Sequence, residues 1–143
     1  MMKKIILALV LILVVVQFIP ALPENSPEPQ SSLLIREDIP KDVQSILKSA
    51  CNDCHSNSAI WPWYAHVAPL SFWIGDHVEE GREHFNLSEW ENYEPKKKAH
   101  KIEELVEMVE EKEMPLEKYV WLHSEAELSA DQRATLISYF KSL

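Results

Sequence analysis

The sequence predicts an all-α protein, a bundle of about four helices preceded by an apolar N-terminal helix. Three observations carry this. Apolar residues recur at i, i+3, i+4 and i+7 in several separate segments, which gives a helix one apolar face. Prolines and capping sequences stand where those segments begin. The 143 residues include two glycines, too few for a β-rich fold with many tight turns. That length suits one domain and an appendage. A formal net charge of −9 argues against a nucleic-acid partner, which wants a basic face.

Residues 1–22 start Met-Met-Lys-Lys and run from Ile5 to Val16 without a polar residue. This is the pattern of a signal peptide or an uncleaved membrane anchor. Phe18 and Ile19 make a poor cleavage site before Ala21. The stretch from Ile5 to Leu22, interrupted by Gln17 and Pro20, approaches a membrane span, so the anchor is the favoured reading. Either reading places the remainder outside the cytoplasm, in the periplasm or a similar compartment. Residues 23–39 read as a Pro/Ser/Glu-rich linker, extended at least through Ser32.

The domain then spans 40–143. Pro40 opens a helix whose apolar face is Val43, Ile46, Leu47 and Ala50, and which runs into Cys51. Residues 56–69 form an aromatic loop with Trp61, Trp63, Tyr64 and Pro69. A helix is expected over Leu70–Arg82, with Ser71 as its cap, Trp73, Ile74 and Val78 on one face, and Gly81 at its end. Ser88 and Glu91 fit a capping box. Pro95 opens a helix with the stripe Ile102, Leu105, Val106 and Val109, stopping near Glu113 because Pro115 disfavours helix before it. Its lysines, Lys96, Lys97, Lys98 and Lys101, read as a solvated run in preference to a docking patch. Ser129 and Gln132 form a capping box for a last helix with Leu136, Ile137 and Phe140.

The chemistry gathers at Cys51-Asn52-Asp53-Cys54-His55, the Cys-x-x-Cys-His sequence that attaches a c-type haem. Two thiols at this spacing can each add to a vinyl group of one haem, and the next histidine can bind its iron. A thioredoxin-like thiol pair would want a βαβ neighbourhood, which is missing. A zinc site would want a fourth ligand and, commonly, a second pair. One covalent haem c is therefore the expected cofactor, with Cys51 and Cys54 binding it and His55 on the metal. Trp61, Trp63, Tyr64, Pro69 and Trp73 are expected to wall it. The carbonyl of Pro62 or Pro69 is the expected partner for the second nitrogen of His55. Met114, set on a constrained backbone by Pro115, is the candidate sixth ligand. His123 and His77 are its rivals, with His66, His84 and His100 behind them.

The order helix, Cys-x-x-Cys-His, aromatic loop, helices, Met-Pro, terminal helix resembles class I c-type cytochromes. Residues 40–143 more closely resemble a small bacterial haem-binding-domain family, often membrane-anchored. The matching stretches are Cys-Asn-Asp-Cys-His-Ser-Asn, Trp-Pro-Trp-Tyr, Val-Glu-Glu-Gly-Arg-Glu-His-Phe-Asn-Leu-Ser-Glu-Trp and Glu-Met-Pro-Leu-Glu-Lys-Tyr. The resemblance implies haem binding and names no redox partner. Residues 76–94 look like an insertion relative to class I cytochromes. The expected function is one-electron transfer with His/Met-ligated iron, without enzymatic turnover, between unidentified redox proteins. A haem sensor or peroxidase-like protein, with His77 or His123 as distal acid/base, is the alternative. A module using the cysteines as a plain thiol pair is a third reading.

Overall fold

The structure, a computed structural model, describes residues 1–143. It contains helices α1 Met2–Val16, α2 Lys41–Ala50, α3 Asn52–His55, α4 Leu70–His84, α5 Pro95–Glu110, α6 Glu117–Val120 and α7 Ala130–Phe140. Short 3-10 helices occur at Leu33–Ile35, Trp63–His66, Leu87–Asn92 and Ser124–Ala126, and there is no strand. The all-α expectation holds.

The expected membrane anchor does not. Helix α1 is 15 residues long, and no helix is long and apolar enough to cross a membrane. At about 1.5 Å per residue it reaches about 22 Å, short of the ~30 Å hydrocarbon core. The apolar count in the sequence ran past the point where the helix ends. There Gln17 turns its carboxamide onto the aromatic loop, donating to the Ala68 carbonyl at 3.3 Å and accepting from Ala68 N–H at 2.9 Å. The membrane-anchored, periplasmic placement that rested on that anchor loses its support.

Residues 23–39 are also more than a spacer. Asn25 Nδ2 donates to the Ala59 carbonyl at 2.6 Å, and Ser26 N–H to that of Asn57 at 2.7 Å. The Glu28 carboxylate accepts from the Ser88 hydroxyl at 3.0 Å and from that of Ser58. Leu33, Leu34 and Ile39 are buried in the core. The segment is thus held by the backbone N–H of Ser26 and by the Asn25 and Glu28 side chains against the loops beside it.

Helices α2, α5 and α7 pack around that core. Their inward residues are Val43, Ile46 and Leu47, then Val106 and Val109, then Leu136 and Phe140. The Ser129–Gln132 capping box that starts α7 is formed as expected. Helix α5 stops at Glu110, earlier than Pro115 alone implied, because Lys112 turns to φ 63°. The stretch that reads as an insertion relative to class I cytochromes contributes to the core. Phe85, Leu87 and Trp90 come from it, and Phe85, Trp90 and Phe140 meet edge to face with centroids 5.9–6.3 Å apart. The cap there is Asn86, accepting from Ser88 N–H at 2.9 Å, in place of the expected Ser88–Glu91 box.

Three of the four lysines of α5 are spent on the same segment. Lys98 pairs with Glu91 at 2.8 Å and lies over Trp90 at 5.1 Å. Lys97 lies over Tyr93 at 5.1 Å, and Lys101, buried, donates to the His84 carbonyl. The run is neither a free docking patch nor simply solvated.

Candidate functional site

Helix α2 delivers Cys51 at its C-terminal end, and α3 turns at once to carry Cys54 and His55. Cys51 N–H still bonds the Leu47 carbonyl at 3.1 Å, and His55 N–H bonds that of Cys51 at 2.9 Å. One helical turn therefore presents both thiols and the imidazole. Both cysteines are free. Burial pushes the Cys51 thiol up to about 12 and the Cys54 thiol up to about 11. They are protonated and shielded, unlike a reactive redox pair, whose pKa is lowered.

His55 lies against the end of α4. Its Nδ1 is 2.9 Å from the Gly81 carbonyl oxygen and 2.8 Å from that of Phe85. Both are acceptors, so Nδ1 carries the proton and Nε2 keeps its lone pair. Burial lowers the imidazole's pKa, which favours the neutral, metal-binding form. The expected partner carbonyls, Pro62 and Pro69, are not used. The actual ones are those of Gly81 in the last turn of α4, whose carbonyl also accepts from Phe85 N–H at 2.9 Å, and of Phe85 just past the helix end, where the helix dipole favours a donor.

Gly81 makes that approach possible. A Cβ there would stand 2.8 Å from the Cys54 carbonyl oxygen and 3.5 Å from His55 Cε1. Gly81 is not the helix end, since α4 continues to His84. The helix starts after Pro69, so Ser71 is a buried residue of its first turn and not its cap. Phe85 adds a ring 5.9 Å from that of His55 and links the site to the core trio.

The expected aromatic wall is only partly assembled. Tyr64 joins a polar cluster, while Trp63 is 80 % exposed and Trp73 45 % exposed. Trp73 lies against His77, with centroids 4.1 Å apart and the rings tilted by 44°, and its carbonyl accepts from His77 Nδ1 at 2.9 Å. Trp61 lines a cavity of about 320 Å³ with residues 17–22, Ala65, His66 and Ser71. Pro69 is exposed at the start of α4.

Met114 is half-buried and held by its backbone. Its N–H donates to the Met108 carbonyl at 3.1 Å, and its carbonyl accepts from Arg133 at 2.8 Å. The following α6 brings Tyr119 to the attachment segment, where its hydroxyl donates to Asp53 at 2.8 Å. Burial and the Asp53 carboxylate raise the Tyr119 pKa. His123 stacks on Tyr119 at 4.3 Å. Its Nδ1 faces Glu125 at 3.1 Å and must carry a proton, so Nε2 accepts from the Tyr64 hydroxyl at 2.5 Å. With both nitrogens engaged, His123 is a poorer rival to Met114 than its position in the sequence suggested.

The residues fit a covalently held haem better than a bare metal ion or a redox disulfide. No three His, Cys, Asp or Glu side chains are grouped to hold a metal ion. Two half-buried thiols precede an imidazole whose Nε2 has no hydrogen-bond partner. Gly81, Phe85, Tyr119 and Arg133 are not among the residues the sequence marks as the site, although Gly81, Phe85 and Tyr119 stand in the stretches that carry the resemblance. No curated protein and no solved structure matches the chain. The family model for the haem-binding domain matches residues 11–142, and the chain belongs to that family.

Proposed function

We propose that the protein is a one-electron carrier with a single covalent haem c, ligated by His55 and Met114. The observation that carries this is the His55 imidazole, fixed by the Gly81 and Phe85 carbonyls with Nε2 free beside two thiols. Cys51 and Cys54 would hold the haem, each thiol adding across one vinyl group with its sulfur going to one carbon and its hydrogen to the next. A haem held there supplies a one-electron couple at its iron. The two carbonyls strengthen the imidazole as a donor and hold its plane. Met114, soft and neutral, raises the potential relative to a second imidazole. The packing of α2 against α7 beside α3 is consistent with the cytochrome-c-like bundle that the sequence resembles.

With His55 and Met114 both holding it, a bound haem would have no open position for a substrate, which favours a carrier over an enzyme. The net charge of −9 suits redox partners with a basic docking face. Mass spectrometry after expression with haem-attachment machinery tests the first claim, since the protein must gain the mass of one haem. Met114→Ala tests the second. Loss of the low-spin spectrum and a changed midpoint potential are expected. A Met114 that merely fills the core would lose ~2–5 kcal/mol of stability with the spectrum unaltered.

A further inference from the structure

The chain that carries Met114 is tied down at both ends. At the near end the Met114 backbone is bonded to Met108 and Arg133. Arg133 also donates to the Val109 carbonyl at 3.0 Å, so one guanidinium joins α5, α7 and this loop. At the far end, contact reaches back to the attachment segment itself. Asp53 sits between the two cysteines. Its Oδ1 accepts from Ile60 N–H at 2.9 Å, leaving Oδ2 for the Tyr119 hydroxyl at 2.8 Å. His123 covers the Tyr119 ring, nearly parallel to it at 12°, and accepts from Tyr64 of the aromatic loop.

We propose that the Asp53–Tyr119 hydrogen bond, backed by the His123–Tyr64 pair, is a latch that closes the Met114 loop onto the haem-attachment segment. Asp53, Tyr119 and His123 are thus positioning residues, acting on the iron through Met114. The inference rests on the His55/Met114 reading above. A hydroxyl bonded to a carboxylate is among the stronger hydrogen bonds, and water is partly kept from this one. Opening it loosens α6, which spans only Glu117–Val120 and buries no residue, and leaves the chain that carries Met114 held by the buried Pro115 and the bonds to Met108 and Arg133 alone. The aromatic loop moves with the latch, because Tyr64 belongs to it.

Tyr119→Phe in the full haem-loaded chain removes the hydroxyl and keeps the ring that stacks on His123. Two readouts follow: carbon monoxide binding to the reduced protein, and amide hydrogen exchange over residues 114–126. Tyr139→Phe serves as a control, because it removes a tyrosine hydroxyl that has no hydrogen-bond partner and leaves the latch whole. With the latch lost, carbon monoxide binding should quicken about 10-fold or more, the methionine–iron charge-transfer band should weaken, and exchange should rise. Asp53→Asn keeps an oxygen in place and should stay closer to the parent than Asp53→Ala. Unchanged binding and exchange in Tyr119→Phe, with the charge-transfer band intact, would overturn the latch and leave the ligand reading standing. Absence of that band from the unsubstituted protein would overturn the ligand reading instead, and with it the latch's action on the iron. Exchange would then judge whether the bond holds the loop.

Discussion

Replacing Gly81 with alanine puts the site's geometry to a direct test. On an exposed helix this change stabilises by up to ~1 kcal/mol, because alanine loses less backbone entropy. Here the new methyl would meet the Cys54 carbonyl oxygen at 2.8 Å and the carbonyl carbon at 3.5 Å. A backbone carbonyl cannot swing aside. Helix α4 must withdraw by about half an ångström to restore van der Waals contact. Overpacking of this kind costs ~1–3 kcal/mol. The withdrawal lengthens the 2.9 and 2.8 Å contacts from His55 to Gly81 and Phe85, which costs up to another ~1 kcal/mol. The net expectation is a loss of ~1–3 kcal/mol. Urea unfolding of the haem-loaded protein measures it. The midpoint potential should move as well, because the imidazole donates less strongly when its Nδ1 proton is less well bonded. A Gly81→Ala protein that is more stable than the parent, with the same potential, would refute the close-approach reasoning.

Gly75→Ala should loosen the segment that follows α1, since its Cβ would overlap the Ala21 carbonyl oxygen. Limited proteolysis should then cut within residues 17–31 several times faster, and equal rates would mean that the segment is not seated there. Trp90→Ala should cost ~3–5 kcal/mol by denaturant titration, because the ring is almost completely buried between Phe85 and Phe140. In the haem-free chain both thiols titrate above the usual 9.0, so folding holds their protons more tightly. The stability this contributes is full below that value and is lost as pH rises through about 11 and about 12. Alkylation in mild alkali should be slower than in the urea-unfolded chain by on the order of 100-fold, and equal rates would show the thiols to be unshielded.

Much of this was legible because it is local. Pro40, the Val43–Leu47 spacing, Pro95 and the Ser129–Gln132 box act over one or two turns, and the helices they predict are present. The five residues from Cys51 to His55 define their own chemistry, since thiol spacing on one turn needs no help from elsewhere. What lay beyond the sequence depends on contacts between distant residues. The His55 partners lie 26 and 30 residues away, and no spacing rule selects Gly81 and Phe85 over two nearer prolines. Glycine at 81 looked like a helix end, but its lack of a side chain is used sideways, against α3. The length of the apolar N-terminal helix depends on where it stops, at Val16, and the Gln17 that caps it bonds to Ala68, 51 residues on. Residues 76–94 read as an insertion relative to class I cytochromes, and that comparison does not show that Phe85, Leu87 and Trp90 of the stretch pack in the core. Met114 is a candidate by residue type and by Pro115, while the backbone bonds that hold it come from Met108 and Arg133. Local propensity and covalent spacing are written residue by residue, whereas the partners of a buried polar atom exist only after the chain has folded.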